Sequence, residues 1–293
     1  MNYPDASPIL ANPAHSRYSP PVSLEFTKMN GAGNDFILID GRDRSFKVQP
    51  QDVVRLCDRH FGIGADGLVV LRPCASGKAD WAWEFYNSDG STGEMCGNAA
   101  RCFARFVQRQ TGIGHDFTFE TEAGIITAAF RGERVTVNLT APQGLALGQQ
   151  VPLSAGPQTI HSLNTGVPHA VIFVPDADNA MVGQLGPEIR RHPLFAPRGT
   201  NVNFVQVLGP SLIRVRTFER GVEGETLACG TGVAASALIS ARVHHFSSPV
   251  KVLVQGGDEL EVSFSDTGHR FHDVRLTGPA EFVFDGKLQT LPA

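Results

Sequence analysis

The distribution of apolar residues predicts many short strands separated by turns rich in glycine and proline. After about residue 22, apolar and β-branched residues recur in short runs that Gly or Pro interrupts. Runs of this length and spacing are typical of barrels and strongly curved sheets. We predict strands over residues 36–40, 67–71, 116–121, 125–130 and 134–139 in the first half, and over 170–174, 203–207, 212–218, 250–254 and 259–264 in the second.

Two segments have a helical pattern, and each begins directly after a cysteine. In the first, Ala100, Phe103 and Val107 repeat at the spacing of one helix face. In the second, residues 231–243 are small and apolar on nearly every side, which is typical of a buried helix. We therefore predict one central helix in each half. Smaller outer helices are predicted over residues 51–62 and near 186–192.

The two halves of the chain resemble each other. A Cys-Gly step occurs at Cys96 and again at Cys229, 133 positions later, and a Phe lies eleven residues before each cysteine. The same offset relates Gly33 to Gly166. A repeated offset of this kind indicates internal duplication. We predict an α/β (α+β) fold of two pseudo-symmetric domains, each a curved, mostly antiparallel sheet or barrel around its central helix.

Breaks in this pattern suggest the domain boundaries. Residues 1–22 are rich in proline and have no periodicity, so we predict a flexible leader. We assign residues 23–144 to the first domain and 145–277 to the second, with the boundary where APQGLALGQQ interrupts the strand pattern. The strand predicted at 280–288 has no evident first-half counterpart. We expect the segment 278–291 to cross back to the first domain.

Composition narrows the classes of function. The length of 293 residues suits two domains of roughly 150 residues each. A net charge of -4 gives no electrostatic case for binding nucleic acid or an anionic membrane. No apolar run is long enough to span a bilayer and no export signal is evident, so we expect a cytoplasmic protein whose five cysteines are reduced thiols.

The two equated cysteines are the candidates for catalysis. A cysteine at a helix N-terminus has a lowered pKa, and the glycine after each one leaves N–H groups open to an anion. Two facing thiols would take a proton from one face of a carbon and return one to the other. The alternative is a disulfide between the halves, which a reducing compartment disfavours. This chemistry needs no cofactor and no metal, and we expect Cys57, Cys74 and Cys102 to be inert.

Six blocks of the sequence resemble the signature blocks of the diaminopimelate epimerase family. They are, in order, TKMNGAGNDFILID, GIGADGLVVL, EFYNSDGSTGEMCGNAARC, NTGVPHAV, GTNVNFVQV and RTFERGVEGETLACGTGVAAS. The resemblance implies a cofactor-independent isomerase that interconverts LL- and meso-2,6-diaminopimelate for lysine and peptidoglycan synthesis. It also implies two domains that close over the substrate, and a homodimer.

The resemblance implies a role for each matched residue. Cys96 and Cys229 would be the acid and base thiols, and His169 and Glu219 would tune them. The α-carboxylate would be held by Gly97, Asn98, Gly230 and Thr231. Glu219 would hold the α-amino group and Arg220 the distal carboxylate. The remaining substrate contacts would come from Asn34, Asn87 and Asn201.

Two departures from the family pattern concern the distal end of the substrate. Val167 stands where many members have Asn, and Gly67 follows Asp66 where some have Gln.

Two alternative functions stay open. One is a two-thiol enzyme like proline or hydroxyproline racemase, whose compact cyclic substrates need no distal clamp. The other is a non-catalytic amino-acid-binding module on the same fold.

Overall fold

The computed structural model describes residues 23–43, 47–93 and 95–288; the predicted leader lies outside them. The first half contains β1 (Leu24–Gly31), β2 (Asn34–Asp40), α1 (Pro50–Cys57), β3 (Gly67–Pro73), β4 (Trp81–Asn87), α2 (Gly97–Thr111), β5 (Phe117–Thr121), β6 (Gly124–Arg131), β7 (Arg134–Asn138) and β8 (Gln143–Val151). The second half contains β9 (Gln158–Asn164), β10 (Pro168–Phe173), α3 (Val182–Arg190), β11 (Asn201–Gly209), β12 (Leu212–Glu219), β13 (Gly224–Thr226), α4 (Gly230–His244), β14 (Val250–Val254), β15 (Glu259–Asp266), β16 (Phe271–Gly278) and β17 (Glu281–Leu288). A short 3-10 helix covers Pro193–Phe195.

The strand pairings repeat from one half to the other. At the centre β7 pairs antiparallel with β16. From there the order runs outward as β6, β5, β4, β3, β2, β1 on one side and as β15, β14, β12, β11, β10, β9 on the other. The parallel pairs also correspond, since β2–β3 and β4–β5 match β10–β11 and β12–β14. This is the mixed, mostly antiparallel fold with internal pseudo-symmetry that the sequence predicts.

The last strand of each half pairs with the first strand of the other half. β17 lies antiparallel to β1, and β8 lies antiparallel to β9. β8 is therefore the first-half counterpart of β17, and the expectation that the final strand has none was wrong. The register of β8 shifts twice along β9, and Gly144 and Gly148 in β8 adopt positive φ. The side chains of β8 therefore do not alternate between two faces as in an ordinary strand. The predicted domain boundary at residues 144 and 145 falls inside this strand.

The two central helices are confirmed. α2 contacts β1, β2, β3 and β7, while α4 contacts β9, β10, β11 and β12. α4 is buried on nearly all sides from Gly232 to Ala241. The outer helices differ in their bounds: α1 ends at Cys57, because Asp58 leaves the helix and accepts the next N–H groups, and α3 begins at Val182. Among the described residues, no helix is both long and apolar enough to cross a membrane.

Candidate active site

The N-termini of the two central helices meet at the pseudo-symmetry axis. Cys96 and Cys229 are the N-cap residues of α2 and α4, and both have extended backbone. A Cβ built on Gly230 would lie 3.6 Å from the Cα of Gly97, and Leu276 of the central strand pair packs against both positions. The two helix starts are therefore neighbours, and the Cys96 thiol is close enough to be one of the groups that raise the pKa of Cys229, after burial and Glu219.

Burial dominates the electrostatics of both thiols. It raises the pKa of Cys96, and the N–H groups of Asn98 and Ala99 oppose that rise. Burial followed by the Glu219 carboxylate raises the pKa of Cys229. The helix N-termini act in the predicted direction. The expectation of a net lowered thiol pKa was nevertheless wrong for this structure, because removing a thiolate from water costs more than the helix N–H groups return.

A chain of side chains leads from the Cys229 sulfur into the second half. The Sγ of Cys229 lies 3.5 Å from the Oγ1 of Thr231, which lies 2.9 Å from Nε2 of His169. His169 is 1% exposed, and burial together with the nearby Arg220 guanidinium lowers its pKa to about 3. The imidazole is therefore neutral at physiological pH. The structure thus joins His169 to one thiol through Thr231.

Glu219 acts on both thiols. Burial raises the pKa of this carboxyl, and a hydrogen bond from the Thr226 hydroxyl opposes the rise. Its charge raises the pKa of Cys96 as well as that of Cys229. A carboxylate in this position disfavours a thiolate on either side and favours a cation between them.

On the first-half side, a row of hydrogen-bonded polar groups begins at the first turn of α2, directly after Cys96. The Arg101 guanidinium is fully buried and donates to the carbonyl of Gly97 and to Oδ1 of Asn98. The Asn98 amide donates to Oδ1 of Asn34 at 2.6 Å, and the Asn34 amide donates to Asp66. Two of the predicted substrate contacts, Asn34 and Asn98, therefore bond directly to each other.

The Arg220 guanidinium has few partners. Its backbone N–H donates to Oδ1 of Asn201 at 2.9 Å, and Asn201 in turn donates to the Pro168 carbonyl. Within the described part of the chain, the Arg220 guanidinium makes one hydrogen bond, 3.3 Å long, to the carbonyl of Arg198. Among the described residues no carboxylate forms an ion pair with it. The predicted distal residues Asn201 and Arg220 thus form one unit, with most guanidinium donors unused.

Asn87 stands apart from the other predicted residues. It is exposed at the end of β4, and its amide donates to the Ser91 hydroxyl within a turn.

The departure at Gly67 has a steric basis, since a Cβ there would lie 2.7 Å from the Tyr86 carbonyl oxygen. A side chain at position 67 would therefore need the neighbouring strand to move.

The two halves also touch where the turn between β1 and β2 meets the segment before Cys229. Gly33, in the turn between β1 and β2, adopts a φ of +92°, and a Cβ there would lie 2.7 Å from the Cβ of Leu227. Leu227 precedes Cys229 by two residues and is 49% exposed. The first-half turn therefore packs against the segment that leads into α4. In the described part of the chain, no group of three or more His, Cys, Asp or Glu side chains is arranged to hold a metal.

Comparison with known proteins identifies the family of this chain. A sequence model described as "Diaminopimelate epimerase" matches residues 26–144 and 161–283. A diaminopimelate epimerase of Aquifex aeolicus is 42% identical over 278 residues, which cover 90% of this chain and 98% of that protein. One from Azoarcus sp. is 40% identical, covering 92% and 99%. The chain belongs to the diaminopimelate epimerase family.

Solved structures with lower identity show the breadth of this fold. A Bacillus anthracis phenazine biosynthesis protein of the PhzF family has a TM-score of 0.70 at 14% identity, covering 91% of this chain and 99% of that one. A hydroxyproline epimerase from Agrobacterium vitis, solved with trans-4-hydroxy-L-proline, has a TM-score of 0.69 at 16% identity, covering 93% of each. At these identities the likeness concerns the fold alone.

Three residues of the site in this family member are not predicted by the sequence patterns. Asp66 binds Asn34, Arg101 supports Asn98, and Asn203 contacts His169. One of them had a usable signal: Asn201 and Asn203 are two residues apart on a strand, so their side chains share a face. The polar partners of Arg101 lie within four residues on α2 and, at the Pro279 carbonyl, far along the chain, and only the fold reveals that all of them are buried.

Proposed function

We propose that this protein interconverts LL- and meso-2,6-diaminopimelate by moving a proton at one α-carbon. The observation that carries the proposal is the meeting of two helix N-termini, each capped by a cysteine, across Gly97 and Gly230. In this proposal one α-carbon would lie between the two thiols, with one sulfur on each face. Family membership supports the choice of substrate, because the relatives are named for it.

The reaction follows from the charges of the site. The thiolate of one cysteine takes the proton from Cα, and the electron pair of that C–H bond passes into the α-carboxylate. The N–H groups at the two helix starts stabilise the added negative charge on the carboxylate oxygens. The thiol of the other cysteine then donates its proton to the opposite face. The configuration inverts, and thiol and thiolate exchange places.

The buried carboxylate explains how the substrate helps to ionise a thiol. In the free site, burial raises the pKa of both thiols, and the Glu219 carboxylate adds to that rise. A substrate α-ammonium group bound to Glu219 would neutralise that charge and so favour a thiolate next to Cα. At the other end of the substrate, the unused donors of Arg220 suit the distal carboxylate. Binding would therefore both orient Cα and prepare the base.

Several wider features form part of the same proposal. The chemistry uses only the two thiols, so it requires no pyridoxal phosphate and no metal. The product would serve lysine and peptidoglycan synthesis in the cytoplasm, and the active form would be a homodimer. Size-exclusion chromatography with light scattering measures the assembly, and a monomeric active enzyme would contradict that part.

The direct test is an assay in deuterium oxide with purified protein. LL-diaminopimelate should give meso product, and one solvent deuteron should enter at Cα for each inversion. Proline and hydroxyproline serve as comparison substrates, and neither should react. Efficient racemisation of proline would favour the alternative two-thiol enzyme. Binding of diaminopimelate without exchange at Cα would favour the non-catalytic module.

A further inference from the structure

We propose that Asn203 is a positioning residue for Cys229. It sets the tautomer of the His169 ring so that the Thr231 hydroxyl donates its hydrogen bond to the Cys229 sulfur. The inference deepens the proposed function, because it rests on Cys229 as an acid and base. It also assigns the Thr231 side chain to the thiol, whereas the family resemblance places it on the substrate carboxylate.

The orientation of the Asn203 amide follows from its partners. Its side chain is fully buried in β11. The Thr217 hydroxyl donates to Oδ1 at 3.0 Å, and Nδ2 lies 3.0 Å from the Ala170 carbonyl oxygen. A carbonyl oxygen only accepts hydrogen bonds, so the group facing it must be the NH₂. Exchanging O and N would place two acceptors against each other.

The amide then sets the tautomer of the imidazole. The second hydrogen of Asn203 Nδ2 points to Nδ1 of His169, 3.2 Å away. Nδ1 must therefore accept, and in a neutral imidazole the proton lies on Nε2. The ring is neutral because it is buried, beside the Arg220 guanidinium. Asn203 is thus the group that decides which nitrogen of His169 carries the proton.

The tautomer sets the direction of the last two hydrogen bonds. Nε2–H of His169 donates to Oγ1 of Thr231 at 2.9 Å. The hydroxyl proton of Thr231 is then free to point at the Cys229 sulfur, 3.5 Å away. A donor aimed at sulfur stabilises the thiolate relative to the thiol. It opposes the rise in the Cys229 pKa that burial, Glu219 and, on the other helix, the Cys96 thiol produce.

The packing around this chain of bonds is specific. A Cβ at Gly232 would lie 2.3 Å from Oδ1 of Asn203 and 3.3 Å from the imidazole Cε1. Glycine at this position in the first turn of α4 therefore allows the helix to rest on the Asn203–His169 pair. The approach also brings Thr231 within reach of the ring.

At the equivalent positions of the first half, the Asn203–His169–Thr231 chain of hydrogen bonds has no counterpart. The 133-residue offset places Phe36 and Asn98 at the positions of His169 and Thr231. The register of β2 with β3, compared with that of β10 with β11, places Val69 at the position of Asn203. None of these three residues has an imidazole or a hydroxyl group. Glu219 acts on both thiols, but only Cys229 has the Asn203–His169–Thr231 chain, although the helices that carry the two thiols are related by duplication.

Two substitutions at Thr231 test the last step. The readout is the ¹³Cβ chemical shift of Cys229 followed against pH, which reports its titration without substrate. Thr231→Val should raise the midpoint by about one to two pH units, since a hydrogen bond to a charged group is lost. Thr231→Ser keeps the hydroxyl and should leave the midpoint close to that of the parent. An unchanged midpoint in Thr231→Val overturns the proposal.

Asn203→Asp tests the origin of the tautomer. A carboxylate cannot donate to Nδ1, so the ring should carry its proton on Nδ1, and Nε2 should then accept a hydrogen bond from the Thr231 hydroxyl. We expect ¹⁵N spectra of His169 to show the exchanged tautomer, and the Cys229 midpoint to rise as in Thr231→Val. Asn138→Asp, on β7, is the matched control, because its Oδ1 only accepts from the Thr127 N–H.

The outcomes separate this inference from the proposed function. An unchanged His169 tautomer in Asn203→Asp refutes the role of Asn203. Should Asn203→Asp not fold, the ¹⁵N spectrum of the parent protein decides, and a proton on Nδ1 there refutes it equally. Failure of the parent protein to convert diaminopimelate would reject the substrate while leaving these titrations valid.

Discussion

Substitution of Arg220 tests how the distal end of the substrate is recognised. A guanidinium has five N–H donors in a planar fork, and in this structure one of them makes a 3.3 Å bond to the Arg198 carbonyl. A planar pair of donors is therefore free for a carboxylate. Lys would keep the charge but lose the fork. We expect Arg220→Lys to lower kcat/KM for diaminopimelate and Arg220→Met to lower it further.

The size of the loss follows from the number of bonds. One hydrogen bond to a charged group contributes ~1.5–3 kcal/mol, so Arg220→Lys should cost roughly 10- to 150-fold. Removing the whole partner of a desolvated carboxylate costs ~2–5 kcal/mol, or roughly 30- to 5,000-fold, for Arg220→Met. Part of the loss should fall on kcat, because binding at the distal end also orients Cα.

The assay measures initial rates of deuterium incorporation at Cα over a range of substrate concentrations. Arg191→Lys is the matched control, since Arg191 is exposed and forms a surface pair with Glu223. Lysine, which lacks the second carboxylate, should be a poor substrate for the parent. A kcat/KM for Arg220→Lys within threefold of the parent would show that other residues hold the distal carboxylate.

The other predictions concern the thiols and their support. Cys96→Ala and Cys229→Ala should each abolish epimerisation while keeping the fold, because each face of Cα has one proton carrier; more than a tenth of the parent rate in either variant would contradict two-base chemistry. Burial raises the pKa of both thiols, so kcat/KM should increase with pH into the alkaline range. Glu219→Gln should shift this rising part of the pH–rate profile to lower pH, because a charge that disfavours the thiolate is gone. A limb that stays in place in pH–rate profiles would exclude Glu219 as its cause. Arg101→Met should lower the free energy of unfolding by ~2–4 kcal/mol in urea titrations, since buried acceptors at Asn98 and Pro279 lose their donor; unchanged stability would mean that the buried charge costs as much as its bonds return.

The strand predictions succeeded where the chain is regular. The ten predicted strands of the two halves, and the strand at 280–288, each correspond to a strand of the structure within a few residues. β8 and β9 escaped prediction because they pair with register shifts and their exposure does not alternate regularly. β1, β4, β13 and β16 also escaped. The short apolar runs marked strands that are buried along most of their length, such as β3, as well as alternating ones such as β5.

The site residues divide in a similar way. The constant offset of 133 residues equates Cys96 with Cys229, so the sequence alone marks them as a pair. The bond between Asn98 and Asn34 and the contact of Asn203 with His169 could not be read from the sequence. These partners lie 64 and 34 positions apart, so only the fold decides that they meet.

By itself, the sequence determined the duplication, the two cysteine-capped helices and the class of chemistry, because each of these rests on residues close together in the chain or on one constant offset. Tertiary structure alone decided the exchange of β8 and β17 between the halves, the sign of the thiol pKa shifts and the different partners of the two thiols. Each of those depends on burial and on contacts between distant segments. Burial in particular has no local signature, and it reversed the effect that the helix N-termini alone would have on Cys96 and Cys229.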